Sequence, residues 1–568
     1  MTWFTESRLW RSGKWSLALR DDEFADIAFD GRTVLRSIRA VVRDRDWDTA
    51  PLVVDRVDES DATLSLHVRS EGLGSSFRGV VRVEARPGRL DVICDLESEH
   101  AFDTNRTGLV VLQPPGVAGS PLRVTHADGE VEQTSFPVAI SPHQPVLDIA
   151  ALAWLDEGVE VAIDFAGDVF EMEDQRNWTD ASFKTYSRPL SLPFPYAVAA
   201  GERVRQTVSL RVRPTADVPV TDAAPARITV RPGGAFPTIG LGAASAPDPA
   251  PAFTALGAEV LVELDLASPN WRAALDRAQS SALPLDVRFL LDADAPATLR
   301  DGVSALACID VVRVAAFHQV GDARHVSDRD AVSALRAALA GAGLDIPVVG
   351  GSRSHFTELN RERHRLPADL AGLTVTTTPL FHALGTEQLV ESVAMQRLVA
   401  RQTVEYADGI PVHVGPITLR PRFNDVATAP QPKPSRDDLD EGYGAEFTGT
   451  VDDRQSAPEL AAWTVASAAA LAVPGVASIV WFEEWGGRGI RSSSGEPLPV
   501  ADAIEALAAL RGGLLWGDSP DGLVWAIGAG STILVANLSH VDRTITIDTP
   551  ARTVTTTAGA ASVARIVL

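Results

Sequence analysis

The stretch EVLVELDLASPNWRAALDRAQSSALPLDVRFLLDA, residues 259–293, decides the fold. Its two ends, EVLVELDL and LDVRFLLDA, are almost unbroken apolar runs. A strand solvated on one face alternates apolar with polar residues, whereas a strand buried on both faces does not. The middle, NWRAALDRAQSSA, carries Ala, Leu and Arg at helical spacing. A strand, a helix and a second strand of the buried type read as a crossover unit of a parallel sheet.

The same rhythm recurs on either side. FPTIGLGA precedes the stretch, and IDVVRVAAF, IPVVGGSR, LTVTTTPLF, IPVHVGPITL and ASIVWFEEW follow it. Helical segments such as DAVSALRAALAGAG and EQLVESVAMQRLVARQTVEYA separate them. Eight such runs predict a closed (β/α)8 TIM barrel over 231–511. The competing architecture is an open doubly wound sheet. It is disfavoured by the count of eight and by the lack of a Gly-rich dinucleotide loop after the first strand.

Residues 1–230 read differently. TLSLHVRS, GVVRVEAR, RLDVICDLE and RVRQTVSLRV alternate, and Gly, Pro, Asp and Asn punctuate them, which predicts a large antiparallel β-sandwich. Alternation returns over 512–568 in STILVANLS, RTITIDT and ASVARIVL, so a small C-terminal β domain is expected. The chain is thus read as multidomain, α/β plus β, with the barrel flanked by two β domains.

Composition excludes several partners. The 75 acidic and 51 basic side chains give a net charge of −24, which repels nucleic acid and anionic membrane surfaces. The apolar run at 465–482 is split by Pro474-Gly475, so neither half spans a bilayer. MTWFTESRLWRSGKW has no apolar signal core, and a cytoplasmic protein is expected. Cys94 and Cys308, far apart, are expected to be two buried thiols.

In such barrels active sites form at the C-terminal strand ends. After strand five, SRSHFTELNRERH brings Arg353, His355, Glu358, Asn360 and Arg361. His382 follows strand six. Arg420, Arg422 and Asn424 follow strand seven. Glu483, Glu484, Trp485 and Arg488 follow strand eight. Asp292, Asp294 and His318 close strands three and four. Any one of these has a plain structural reading, but proton carriers, amides and guanidinium groups on four consecutive strand ends point to a site. No G-x-S-x-G elbow, H-E-x-x-H pair or phosphate loop occurs, so no metal and no cofactor is expected. Acid/base chemistry remains, with Glu358, Glu483 and His382 as the catalytic candidates. Arg422 or Asn424 would hold an oxyanion, and Trp481 or Trp485 would stack on a sugar ring. Two opposed glutamates also suit a retaining or inverting glycoside hydrolase.

A further polar segment lies in the first domain, FEMEDQRNWTDASFKTYSRPL at 170–190. Its many charges make it a poor core strand. It reads either as a clamp between the domains or as a wall over the barrel mouth, with Glu173 and Arg176 reaching substrate. This segment, together with FTELNRERH, TLRPRFN and WFEEWGGRGI, resembles the D-apionate lactonase family. The resemblance implies the same three-part layout. It also implies hydrolysis of D-apionolactone, or a related small sugar lactone, in bacterial apiose breakdown. Residue roles are assigned from chemistry and not from the resemblance.

Overall fold

The computed structural model describes residues 3–4, 6–156, 158–215, 226–247, 255–291, 295–423, 433–443, 450–550 and 552–568. Asn424, Asp292 and Asp294 lie outside the described residues.

The eight barrel strands are Thr238–Gly242, Val260–Asp265, Leu285–Leu291, Val311–His318, Gly350–Gly351, Leu373–Val375, Val412–Ile417 and Val476–Glu483. They hydrogen-bond in parallel in the order four-three-two-one-eight-seven-six-five. The ring closes between strands four and five: Val314 N–H donates to the Pro347 carbonyl, and Val349 N–H to the Val314 carbonyl, each at 2.9 Å. Leu285–Leu291 is buried at every position, as its unbroken apolar run requires.

The helices follow their end signals. Arg329–Ala342 starts where the Asp328 side chain accepts from Ala331 N–H at 2.9 Å, and stops at Gly343 with φ 67°. Leu460–Leu471 has no polar face. The barrel covers one side of it, and the C-terminal strands Val524–Ala529 and Thr532–Asn537 cover the other. Val476–Glu483 begins just past Pro474-Gly475, where the apolar run breaks. Among the described residues no helix is long and apolar enough to cross a membrane.

Ions fill the lower barrel. Arg313 bridges Asp286 and Glu259, and Arg288 reaches Asp286 and the Gly415 carbonyl. Burial would raise Asp286, but Arg288 and Arg313 bring it down to about 2. Every partner here is internal, so this network is structural.

In the N-terminal domain sixteen strands form one sheet that rolls over a single apolar core, giving the sandwich. The C-terminal domain differs from expectation at its start. Ala226–Thr229 pairs in parallel with Arg543–Asp548, and Arg231–Ala235 pairs with Gly513–Asp518. The expected boundary between 230 and 231 therefore falls inside a pair of strands that belong to the C-terminal sheets. Ile228 and Val230 explain this, for both are buried against Val524, Ile533 and Ile545. The thiols also depart from expectation. Cys94 is buried, but Cys308 lies exposed in the turn after the helix Ala295–Ser304.

Candidate active site

The N-terminal sheet docks on the barrel beside strand ends five and six. Arg36 Nε donates to Glu391 at 2.7 Å, on the long helix Thr386–Ala407. The helix Phe356–Glu362 makes the other anchor. Asn360 Nδ2 donates to the Ile140 carbonyl and to Asn177 Oδ1, both at 3.0 Å, and Asn360 Oδ1 accepts from the Tyr406 hydroxyl at 2.7 Å. Arg361 Nε donates to the Pro142 carbonyl at 2.6 Å, and its guanidinium lies over the Trp178 ring. Asn360 and Arg361, expected to bind substrate, are clamp residues.

Arg176, also expected at the substrate, makes its contacts within the N-terminal domain. It is 2% exposed. It is paired with Asp174 at 2.7 Å and donates to the carbonyls of Pro137, Val138 and Ala139. Asp174 caps the short 3-10 turn Gln175–Trp178, and Thr179 ends that turn with φ 71°. The reversal throws the next residue, Asp180, toward the barrel. Its Oδ2 lies 2.7 Å from His382 Nδ1. Burial is the main influence on both groups: it pushes Asp180 up to about 7 and His382 well below the ordinary histidine value. Trp178 and Phe381 pack edge-on against the imidazole, at 5.3 and 4.6 Å. Glu173 lies in the same group, 2.5 Å from Lys184. Burial would raise Glu173, but Lys184 and His382 hold it at about 2; burial drops Lys184 to about 8. The 170–190 segment thus touches the barrel on both sides of Thr179, through Asn177 at Asn360 and through Asp180 at His382.

Glu358 sits at the start of the helix Phe356–Glu362. Its carboxylate accepts from the Ser354 hydroxyl at 2.5 Å and from His355 N–H at 3.0 Å, so it caps the helix. His355 packs on Phe381 at 4.6 Å, and burial lowers it to about 4.

At strand eight the register bulges at Phe482, whose φ is 49°. The bulge decides between the adjacent acids. Glu483 accepts from Ser245 N–H at 2.9 Å and from the Ser245 hydroxyl, and is paired with Arg488 at 2.7 Å. Glu484 turns toward Arg277 on the outer helix Trp271–Gln279, and burial raises it to about 7. Arg422 is paired with Glu263 and donates to the Arg353 carbonyl at 2.7 Å. Arg353 holds the same Glu263 at 3.0 Å. Burial would raise Glu263, but the two guanidiniums keep it well below the usual carboxylate range. Neither tryptophan offers a stacking face. Trp481 is fully buried and donates to Ser467 at 3.1 Å, and Trp485 donates to the Pro247 carbonyl at 2.9 Å.

Glu358, His382, Arg422 and Glu483 thus stand at one end of the barrel. They are linked through His355, which feels Glu358 and Arg422, and through Arg422, which feels Arg488. Sequence reasoning missed Glu263, although an acid in mid-run inside VLVELDL was a usable signal. It also passed over Asp180, one acid among many in its segment.

Residues 2–215 match the family model described as D-apionate lactonase, N-terminal domain, and residues 242–512 match D-apionate lactonase, TIM barrel domain. A D-apionate lactonase of Brucella anthropi is 30% identical over 558 residues, covering 89% of this chain and 88% of that one. Among solved structures, a putative aldose 1-epimerase from Escherichia coli K12 is 13% identical with a TM-score of 0.27, covering 37% of this chain and 99% of its own. SrfJ from Salmonella typhimurium is 8% identical with a TM-score of 0.39, covering 63% of this chain and 96% of its own.

Proposed function

Because the chain belongs to the D-apionate lactonase family, and is thereby a lactonase, a carboxylic ester hydrolase, we propose that it hydrolyses D-apionolactone to D-apionate with His382 as the general base. The observation that carries this reading is the 2.7 Å contact between His382 Nδ1 and Asp180 Oδ2. An ionised Asp180 accepts the Nδ1 proton, which leaves Nε2 as a lone-pair base. Nε2 takes a proton from water, and the hydroxide attacks the lactone carbonyl. The tetrahedral intermediate collapses by breaking the bond to the ring oxygen. The imidazolium returns its proton to that oxygen, so one group serves as base and then acid. Charge on the carbonyl oxygen develops near a rim where Arg353, Arg422 and Arg488 outnumber Glu263 and Glu483. Preorganised donors of this kind contribute about 3 kcal/mol each.

The base role moves to His382 because both glutamates have other work. Glu483 holds Ser245 and Arg488, and Glu358 caps its helix. In this reading Trp178 and Phe381, beside His382, take the place of Trp481 and Trp485 as the wall for the sugar ring.

The reaction is read as metal-free. Among the described residues no three His, Cys, Asp or Glu side chains converge to hold an ion. The test is acid release, followed with a pH indicator, from D-apionolactone and from aryl glycosides before and after exhaustive dialysis against EDTA. Lactone-only activity that survives dialysis is expected. Glycoside cleavage alone, or a loss restored by a divalent ion, would overturn the reading.

The pH profile follows from the dyad. Asp180 faces Lys184, Arg36 and Glu173, and His382 faces Lys184, Arg43, Glu173 and His355. With Asp180 raised to about 7, acid protonates the carboxyl. That hydroxyl then donates to Nδ1, and Nε2 carries the proton and no longer acts as a base. Log kcat/KM should therefore fall with unit slope below about pH 7. A flat profile between pH 5 and about 7 would contradict the dyad.

A further inference from the structure

The wall opposite His382 carries more cation than its carboxylates answer. Arg43 stands directly across from Arg106 in the strand register, so both side chains leave the same face of the sheet. Along that face Val110 pairs with Tyr186, Leu112 with Lys184, and Lys184 with Glu173. Arg106 is only 3% exposed. Its guanidinium lies 3.6 Å from the centroid of the Tyr186 ring and 5.1 Å from that of Trp47. It donates to the Arg188 carbonyl at 3.2 Å, and its buried Nε meets no acceptor among the described residues. Arg43, half-buried, donates to the Trp47 carbonyl at 3.3 Å.

Neither guanidinium forms an ion pair among the described residues. The same sheet pairs its other buried arginines: Arg39 meets Asp22 at 3.0 Å, and Arg36 meets Glu391 at 2.7 Å. The nearby acids are engaged elsewhere. Glu173 holds Lys184, Asp180 holds His382, and Glu171 accepts from Tyr186 at 2.5 Å and from Leu190 N–H at 2.8 Å. Two like charges directly opposite each other are destabilising, and buried charges are ordinarily paired. Burial and the facing Arg106 accordingly push Arg43 down to about 10.

We propose that Arg43 and Arg106, backed by Lys184, form the site for the carboxylate of the hydroxy acid that the reaction releases. This rests on the lactonase reading, because hydrolysis turns a neutral ester into an anion beside His382. A carboxylate matches the fork of a guanidinium with two parallel hydrogen bonds. The neutral lactone leaves the pair unanswered, so the site favours product over substrate.

The experiment is calorimetric titration of the full chain with D-apionate, and with acetate and sulfate, for wild type, Arg43→Met and Arg106→Met. Met keeps the length of the arginine stem, and circular dichroism checks folding. The half-exposed Arg43 tests the site even if Arg106→Met does not fold. Wild type should bind the aldonate, and Arg43→Met should weaken it by about 10- to 100-fold, the range for a charge-assisted hydrogen bond. Acetate and sulfate should bind far more weakly, since they lack the hydroxylated chain. Equal affinity for all three anions would overturn the assignment, as would aldonate binding that both variants retain. Lactone hydrolysis is measured in parallel. If the lactone is not hydrolysed while the aldonate still binds through Arg43, the lactonase reading falls and the anion site stands. If hydrolysis is normal and no aldonate binds, the reverse holds.

Discussion

Replacing His382 with Asn lowers kcat for D-apionolactone about 10³-fold, within the range for loss of a general base. Asn is the informative choice because its amide nitrogen takes the place of Nδ1. The variant keeps the 2.7 Å link to Asp180 and loses only the Nε2 lone pair. Folding should be preserved, since the clamp contacts of Asn360, Arg361 and Arg36 do not involve the imidazole. Stopped-flow acid release, with melting temperature as control, is the measurement. A variant within about tenfold of wild type would move the base elsewhere, and Glu358 would be the next carboxylate to replace.

Asp180→Asn is expected to cost about 10²- to 10⁴-fold. Its amide can donate to Nδ1, which places the imidazole proton on Nε2 and disables the base. Asp180 touches no reacting atom in this scheme, so it is a positioning residue. The discriminating readout is the pH profile. Burial sets the Asp180 carboxyl at about 7, and removing that carboxyl should abolish the acid limb there. A purely structural loss would lower activity at every pH and leave the limb in place. An unchanged limb near pH 7 would therefore remove Asp180 from the dyad.

The barrel was legible because burial on both faces leaves an unmistakable mark: all eight apolar runs became strands, including the two-residue Gly350–Gly351. The rim was legible for the same reason, since strand ends follow from strands. What each rim residue touches was not. Arg422 and Asn360 look alike as polar loop residues. One locks Glu263 and the other holds the first domain, and that difference arises only when distant segments meet. Glu483 and Glu484 are neighbours whose facing is set by a bulge at Phe482, which no periodicity announces. Arg43 and Arg106 were hidden more fully. They end and begin strands, RTVLRSIRAVVR and RTGLVVLQ, that do not alternate, so no periodicity tells which residues share a face or which face meets the barrel. In the quoted polar segment the most conspicuous arginine, Arg176, donates to carbonyls of its own domain, while Asp180, which the reading passed over, meets the barrel.

The pairing of Ala226–Thr229 and Arg231–Ala235 with the chain's last strands makes the tail a buckle. The strap it fastens is the only covalent path from the sheet to the barrel, and His382 meets Asp180 only while the sheet stays seated. A chain shortened to end at 511 would leave that strap unfastened. Residues at the end of the chain would then govern how squarely Asp180 of one module faces His382 of another.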